Sequence, residues 1–116
     1  MRSRRDEGMV TAELAACLPV LVLLLGMALS AIALAGARVR VQDAAREAAR
    51  AAARGDTRRG GELARLAAPG AALAVSRSGD ELVAVVSLRF HPATSLLPAV
   101  TITERAVAAA EPTAPP

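Results

Sequence analysis

The stretch LAACLPVLVLLLGMALSAIALAGA, residues 14–37, carries no charged side chain over its 24 positions. As an α-helix rising ~1.5 Å per residue it would be about 36 Å long, enough to cross the hydrocarbon core of a bilayer with some tilt. A soluble helix this long and apolar would need cover on every side, and the 79 residues that follow offer too little surface for that. The stretch reads as a membrane-spanning helix, and the remainder of the chain follows from its two ends.

On the C-terminal side, RVRVQDAAREAARAAAR (residues 38–54) contains nothing that breaks a helix. Ala and Arg are strong helix formers, and Asp43/Arg46 and Glu47/Arg50 stand at the i,i+3 spacing of weak ion pairs. One rod is expected over residues 9–54, spanning the membrane at 14–37 and continuing as an amphipathic extension at 38–54. Gly55-Asp56 is the natural stop, with Gly at the C-cap.

Residues 60–108 change character. GELARLAA (61–68) offers two helical turns closed by Pro69-Gly70. A strand over 71–77 puts Leu73 and Val75 on one face, and Ser78-Gly79-Asp80 marks a turn. A second strand over 81–90 alternates Leu82, Ala84, Val86, Leu88 and Phe90 on one face, so the pair reads as a β-hairpin. A loop from His91-Pro92 to Pro98 leads to a third strand over 99–107, with Val100 and Ile102 inward and Thr101 and Thr103 outward. The end, residues 109–116, closes on EPTAPP and reads as a disordered Pro-rich tail. The expected class is α+β: one long N-terminal helix, transmembrane then extramembrane, followed by a small three-stranded antiparallel sheet.

Composition limits what such a chain can do. Its 116 residues allow one small domain; 53% are hydrophobic but only 1% aromatic, and 29 are Ala. The core must be thin, because each Ala buries little area. One Cys excludes an intramolecular disulfide and any Cys-based zinc site, and one His leaves no His-based metal cluster. Cys17 lies in the apolar run as a small apolar residue, and His91 sits in a loop with no nucleophile or acid arranged around it. No enzyme, metal or cofactor is expected. The net charge of +3 is uneven: residues 38–59 carry net +4 and residues 60–116 net −1. The Arg after Gln42 alternate with acids and have no aromatic side chains among them to stack on bases, which argues against nucleic acid as a partner. Arg38 and Arg40 are placed to reach lipid headgroups.

Ahead of the apolar run stands MRSRRDEG, then MVTAE ending in Glu13. A carboxylate carried deep into hydrocarbon costs about 2–3 kcal/mol, so Glu13 needs a partner. If the chain were cut after Gly8, the new amine of Met9 would lie four residues from Glu13 and could neutralise it, in the same chain or a neighbour. The plainer reading makes Thr11 the N-cap of the helix and Glu13 an acid in its first turn, complementing the helix dipole.

The pattern of basic leader, Gly8, Glu13 at the fifth position after it and an apolar helix resembles the prepilin leader of type IV pilins and pseudopilins. More narrowly, Thr11-Ala12-Glu13-Leu14, Leu18-Pro19-Val20 and Asp43-Ala44-Ala45-Arg46-Glu47-Ala48-Ala49-Arg50 resemble the TadE-like minor pilins of tight-adherence (Flp) pilus systems. The resemblance covers residues 1–54 and implies a pilin-like fold and a structural role in pilus assembly. It also implies a leader at residues 1–8, cleavage between Gly8 and Met9 by a prepilin peptidase, and methylation of the new amine. The partners it implies are other pilins or pseudopilins and the assembly platform, besides the lipid bilayer. Glu13, Pro19, Gly26 and Ser30 are the residues expected to shape helix assembly. Gly26/Ser30 and Ala31/Ala35 are small-xxx-small pairs that let another helix approach, and Pro19 removes one helix hydrogen bond.

The resemblance places the N-terminus in the cytoplasm and the sheet domain outside. The flanking Arg, three in the leader against seven over residues 38–59, favour the reverse under the positive-inside rule. The alternative for the whole chain is a secreted or membrane-anchored small binding domain, unrelated to pili. In it the apolar run serves as a conventional secretory signal peptide, cut near Ala31-Ile32-Ala33 or Ala33-Leu34-Ala35.

Overall fold

The computed structural model describes residues 3–112. One helix, α1 (Ser3–Ala53), runs through the polar leader, the apolar stretch and the charged extension without interruption, Pro19 included. It makes the molecule a rod of 97 × 21 × 18 Å. The helix begins well before Thr11, whose Oγ1 donates to the Glu7 carbonyl at 2.9 Å from inside the helix. In the uncut chain Thr11 is therefore no N-cap, and Glu13 lies three turns in, beyond the dipole's reach. The separate leader expected at residues 1–8 is helical from Ser3 onward; residues 1 and 2 lie outside the described residues.

The C-terminal end of α1 closes as expected at Gly55. Gly55 adopts φ +82°, Asp56 N–H donates to the Ala51 carbonyl at 3.0 Å, and Gly55 N–H donates to Ala52 at 2.9 Å. That double closure is the Schellman arrangement, which needs a left-handed residue at the position after the cap. Asp56 then caps a second helix, α2 (Thr57–Ala67), its Oδ1 accepting from Arg59 N–H at 3.1 Å. Helix α2 is longer than the two turns expected from residue 61, because the cap and Thr57-Arg58-Arg59 supply a first turn. It turns into the sheet at Pro69-Gly70, where Ala71 N–H donates to the Ala68 carbonyl at 3.1 Å.

Strands β1 (Ala72–Ser78), β2 (Glu81–Phe90) and β3 (Val100–Ala109) form an antiparallel sheet in the order β1-β2-β3. The β1–β2 connection is a two-residue turn with Ser78 opposite Glu81 and Gly79 at φ +64°, the hairpin geometry that favours glycine first. The register places Leu73, Val86 and Glu104 side by side, and likewise Val75, Ala84 and Ala106. This face packs on one stripe of α1 formed by Ala37, Val41, Ala44, Ala45, Ala48 and Ala49, with Ala64 of α2 and its C-cap Ala68 closing the end. Val41 and Val86 are the largest fully buried side chains, so the core is thin. Close approach replaces bulk: a Cβ on Gly60 of α2 would stand 3.1 Å from both the Ala48 carbonyl oxygen and Ala51 Cβ.

Ile102 is buried and Thr101 and Thr103 exposed, as the alternation requires, while Val100 shares the inner face but stays 42% exposed at the sheet's end. The first residues of the tail expected over 109–116 are instead part of the fold. Ala109 belongs to β3, Ala110 N–H donates to the Asp80 carbonyl at 2.8 Å, and Glu111 N–H to the Ala53 carbonyl at 3.2 Å. Residues 113–116 of that tail lie outside the described residues.

Candidate assembly and membrane face

Helix α1 divides into two halves of different chemistry. Its charged half buries an Ala stripe against the sheet, whereas the apolar half is largely exposed. Met9, Leu14, Leu18, Leu21, Val22 and Leu25 are each more than half exposed. Apolar surface on this scale along one helix has the length and composition to cross a membrane, and only 6% of its most apolar window is covered by the rest of the chain.

Gly8 lies on the exposed helix surface, and a Cβ built on it would meet nothing within 4 Å. Met9 beside it is 71% exposed. Glu13 follows one turn later, about 6 Å along the axis. It is exposed, with no ion pair or hydrogen bond of its side chain among the described residues. Gly8, Met9 and Glu13 thus stand together at one end of the apolar half, open to other molecules.

Pro19, Gly26 and Ser30 are placed differently. The loop between β2 and β3 folds down along α1, so that Thr94 and Leu96 border a groove with Pro19, Val22, Leu23 and Gly26. A second groove, between Ser30, Leu34 and the Phe90–Val100 end of the sheet, adjoins it. Ser30 is only 5% exposed and its Oγ is buried without a hydrogen-bond partner. The Gly26/Ser30 pair, expected to receive another helix, is therefore covered in part by the chain's own loop. Ala31 and Ala35 remain exposed.

Two ion pairs occur among the described residues. Glu47 and Arg50 meet at 4.0 Å as the spacing suggested, whereas Asp43 and Arg46 do not. The other was not anticipated: Arg38 Nε donates to Glu104 Oε1 at 3.1 Å, so Arg38, expected at lipid headgroups, ties α1 to β3. Glu104 stands at an inward position of β3, opposite Val86. An acid breaking an apolar alternation was the available clue. Among the described residues no three His, Cys, Asp or Glu side chains come together.

The TadE-like protein family matches residues 8–50, from the exposed glycine through the Ala stripe. A protein of Mycobacterium tuberculosis named "Apoptosis inhibitor Rv3655c" is 45% identical over 101 residues, covering 86% of this chain and 78% of that protein. The chain belongs to the TadE-like family. This TadE-like protein is a pilin-like component associated with Tad pili, of a family that is structural, and one helix among the described residues is long and apolar enough to anchor it in a membrane. Family membership also implies association with other pilus components. Similarity to the mycobacterial protein extends well beyond the family match, into the sheet domain. No solved structure matches the chain.

Proposed function

We propose that this TadE-like protein is a minor pilin or pseudopilin, matured by prepilin peptidase and held among neighbouring helices through Glu13. The observation that carries the reading is the exposed trio Gly8, Met9 and Glu13, with a carboxylate that finds no partner within its own described chain. Hydrolysis of the Gly8–Met9 amide adds one water, leaving a carboxylate on Gly8 and an ammonium on Met9. The new charge lies one helical turn from Glu13, in its own chain or a staggered neighbour. A pair formed at the edge of hydrocarbon has little water to compete with it, which favours side-by-side helices over isolated ones. The cut also removes Arg2, Arg4, Arg5, Asp6 and Glu7, leaving an apolar end. The N-terminus faces the cytoplasm, and the sheet domain presents contacts to other pilus components outside.

Exposure of Gly8 supports recognition by a peptidase, since no other element of the chain covers it and cleavage needs only local unwinding of α1 around the Gly8–Met9 bond. The test substitutes Glu13→Leu and Glu13→Gln in the native host. Membrane insertion is expected to persist in both, because the helix stays apolar, while recovery with sheared or affinity-captured pilus components falls at least about tenfold, equivalent to ~1.4 kcal/mol. Recovery at the unsubstituted level in both variants would overturn the role of Glu13.

A further inference from the structure

We propose that the loop over residues 92–98 dips into the bilayer beside α1 and sets the depth at which the helix sits, with lipid acyl chains filling the groove beneath Leu96. The inference rests on the single-span anchor and does not need leader cleavage; the span of residues 9–29 that it implies places Glu13 about 6 Å inside the lower boundary, where its carboxylate needs a partner.

The argument is one of axial level. Arg38 is paired with Glu104 of β3. Going down β3 from Glu104 brings Val100 beside Leu34 and Ser30, and the loop then carries Leu96 to Leu23 and Gly26. From Arg38 down to Gly26 is about 18 Å of helix, and to Leu23 about 22 Å. Were the hydrocarbon to cover residues 14–37, Leu96 and its irregular backbone would lie near mid-bilayer. Lipid-exposed loops are not tolerated there, because their polar backbone groups have no partners.

Shifting the span to residues 9–29 removes the conflict. Those 21 residues give about 31 Å, matching a hydrocarbon core. Large exposed apolar side chains begin at Met9. In this register Leu96 lies about 5–9 Å below the upper boundary, the depth at which amphipathic elements lie in membranes.

The loop's chemistry suits that depth. Residues 92–103, PATSLLPAVTIT, carry no charge, and Leu96 is 75% exposed at the tip. The turn satisfies part of its own backbone: Leu96 N–H donates to Thr94 Oγ1 at 3.0 Å and Leu97 N–H to the Thr94 carbonyl at 3.3 Å. Arg89 and His91 are the charged and titratable side chains nearest the loop in sequence, and both are exposed. Arg89 has the length to carry its guanidinium up to the headgroups. The groove continues the lipid-facing surface of α1, so the chains that solvate the helix extend into it without a break.

Depth-dependent fluorescence quenching tests this on the full chain. In a Cys17→Ala background, Leu96→Cys, Val20→Cys and Ala35→Cys each receive an environment-sensitive fluorophore, and the protein is reconstituted in phosphatidylcholine vesicles. All three positions are exposed, and circular dichroism checks that the helix is kept. The Leu96 probe is expected to be quenched at least about twofold more strongly by a spin label near the top of the acyl chain than by one near its end. The Val20 probe should show the reverse order and the Ala35 probe an aqueous spectrum. An aqueous Leu96 probe would overturn the proposal, and so would a Leu96 probe quenched most by the label near the chain end together with an Ala35 probe quenched by the upper one, a pattern that would restore the span at 14–37. A Leu96 probe with an apolar spectrum but shielded from both lipid labels would overturn it too, and would assign the groove to a second protein chain.

Discussion

Among the described glycines Gly60 stands closest to a neighbouring element, and its role could not be read from the sequence. In the run Arg58-Arg59-Gly60-Gly61 the two glycines look like a break, since Gly weakens a helix interior by about 1 kcal/mol relative to Ala. The structure keeps the helix because α2 presses against α1 there, and the missing Cβ makes room for the Ala48 carbonyl. Gly60→Val is expected to lower stability by about 2 kcal/mol in denaturant titration, as overpacking does. Gly61→Ala, whose Cβ would meet only Leu73 Cδ2 at an ordinary 3.8 Å, should gain about 0.5–1 kcal/mol. Equal losses at both positions would contradict this account of the helix contact. Arg38→Ala removes an ion pair whose Arg side chain is 73% exposed, so the expected loss is below about 1 kcal/mol and shrinks with added salt. Glu13 stands out in the sequence by its spacing from Gly8, and its side chain is exposed near the start of the apolar half of α1.

Among the elements, those with a strong period were legible and those fixed by packing were not. The alternation of Leu82, Ala84, Val86, Leu88 and Phe90 located β2 at its observed bounds, and Ser78-Gly79-Asp80 located the hairpin turn. The long helix was legible because residues 14–37 form one uncharged apolar run and nothing between residues 38 and 54 breaks a helix. Its start was not, because the leader was read by its charge. The first turn of α2 depends on a single side-chain bond from Asp56. Asp56→Ala is expected to cost about 1 kcal/mol and to raise amide exchange in residues 57–60, whereas the core of α1 stays protected. The descent of the β2–β3 loop along α1 had no sequence signal beyond its lack of charge. The Gly26/Ser30 pair consequently read as open surface.

At the scale of the molecule, α1 is anchor and core at once. Its apolar half faces lipid, and its second half supplies the Ala stripe without which the sheet's inner face has no cover. A fragment of residues 31–116 is therefore expected to fold, giving a cooperative thermal transition by circular dichroism. Residues 54–116 alone should show no such transition, because three strands over one short helix bury too little apolar area. The same division explains why the fold was largely legible while the depth in the membrane was not. Hydropathy locates apolar residues but does not see what the chain itself lays over them. The central claim, that Gly8 and Glu13 serve pilin maturation and assembly, is tested most directly by the N-terminus of the mature protein, determined by intact mass and Edman sequencing from the native host. The account predicts a chain beginning at Met9, and a Gly8→Leu variant that keeps its leader. A chain beginning near Gly36, or one retaining Met1 in the wild type, would contradict it.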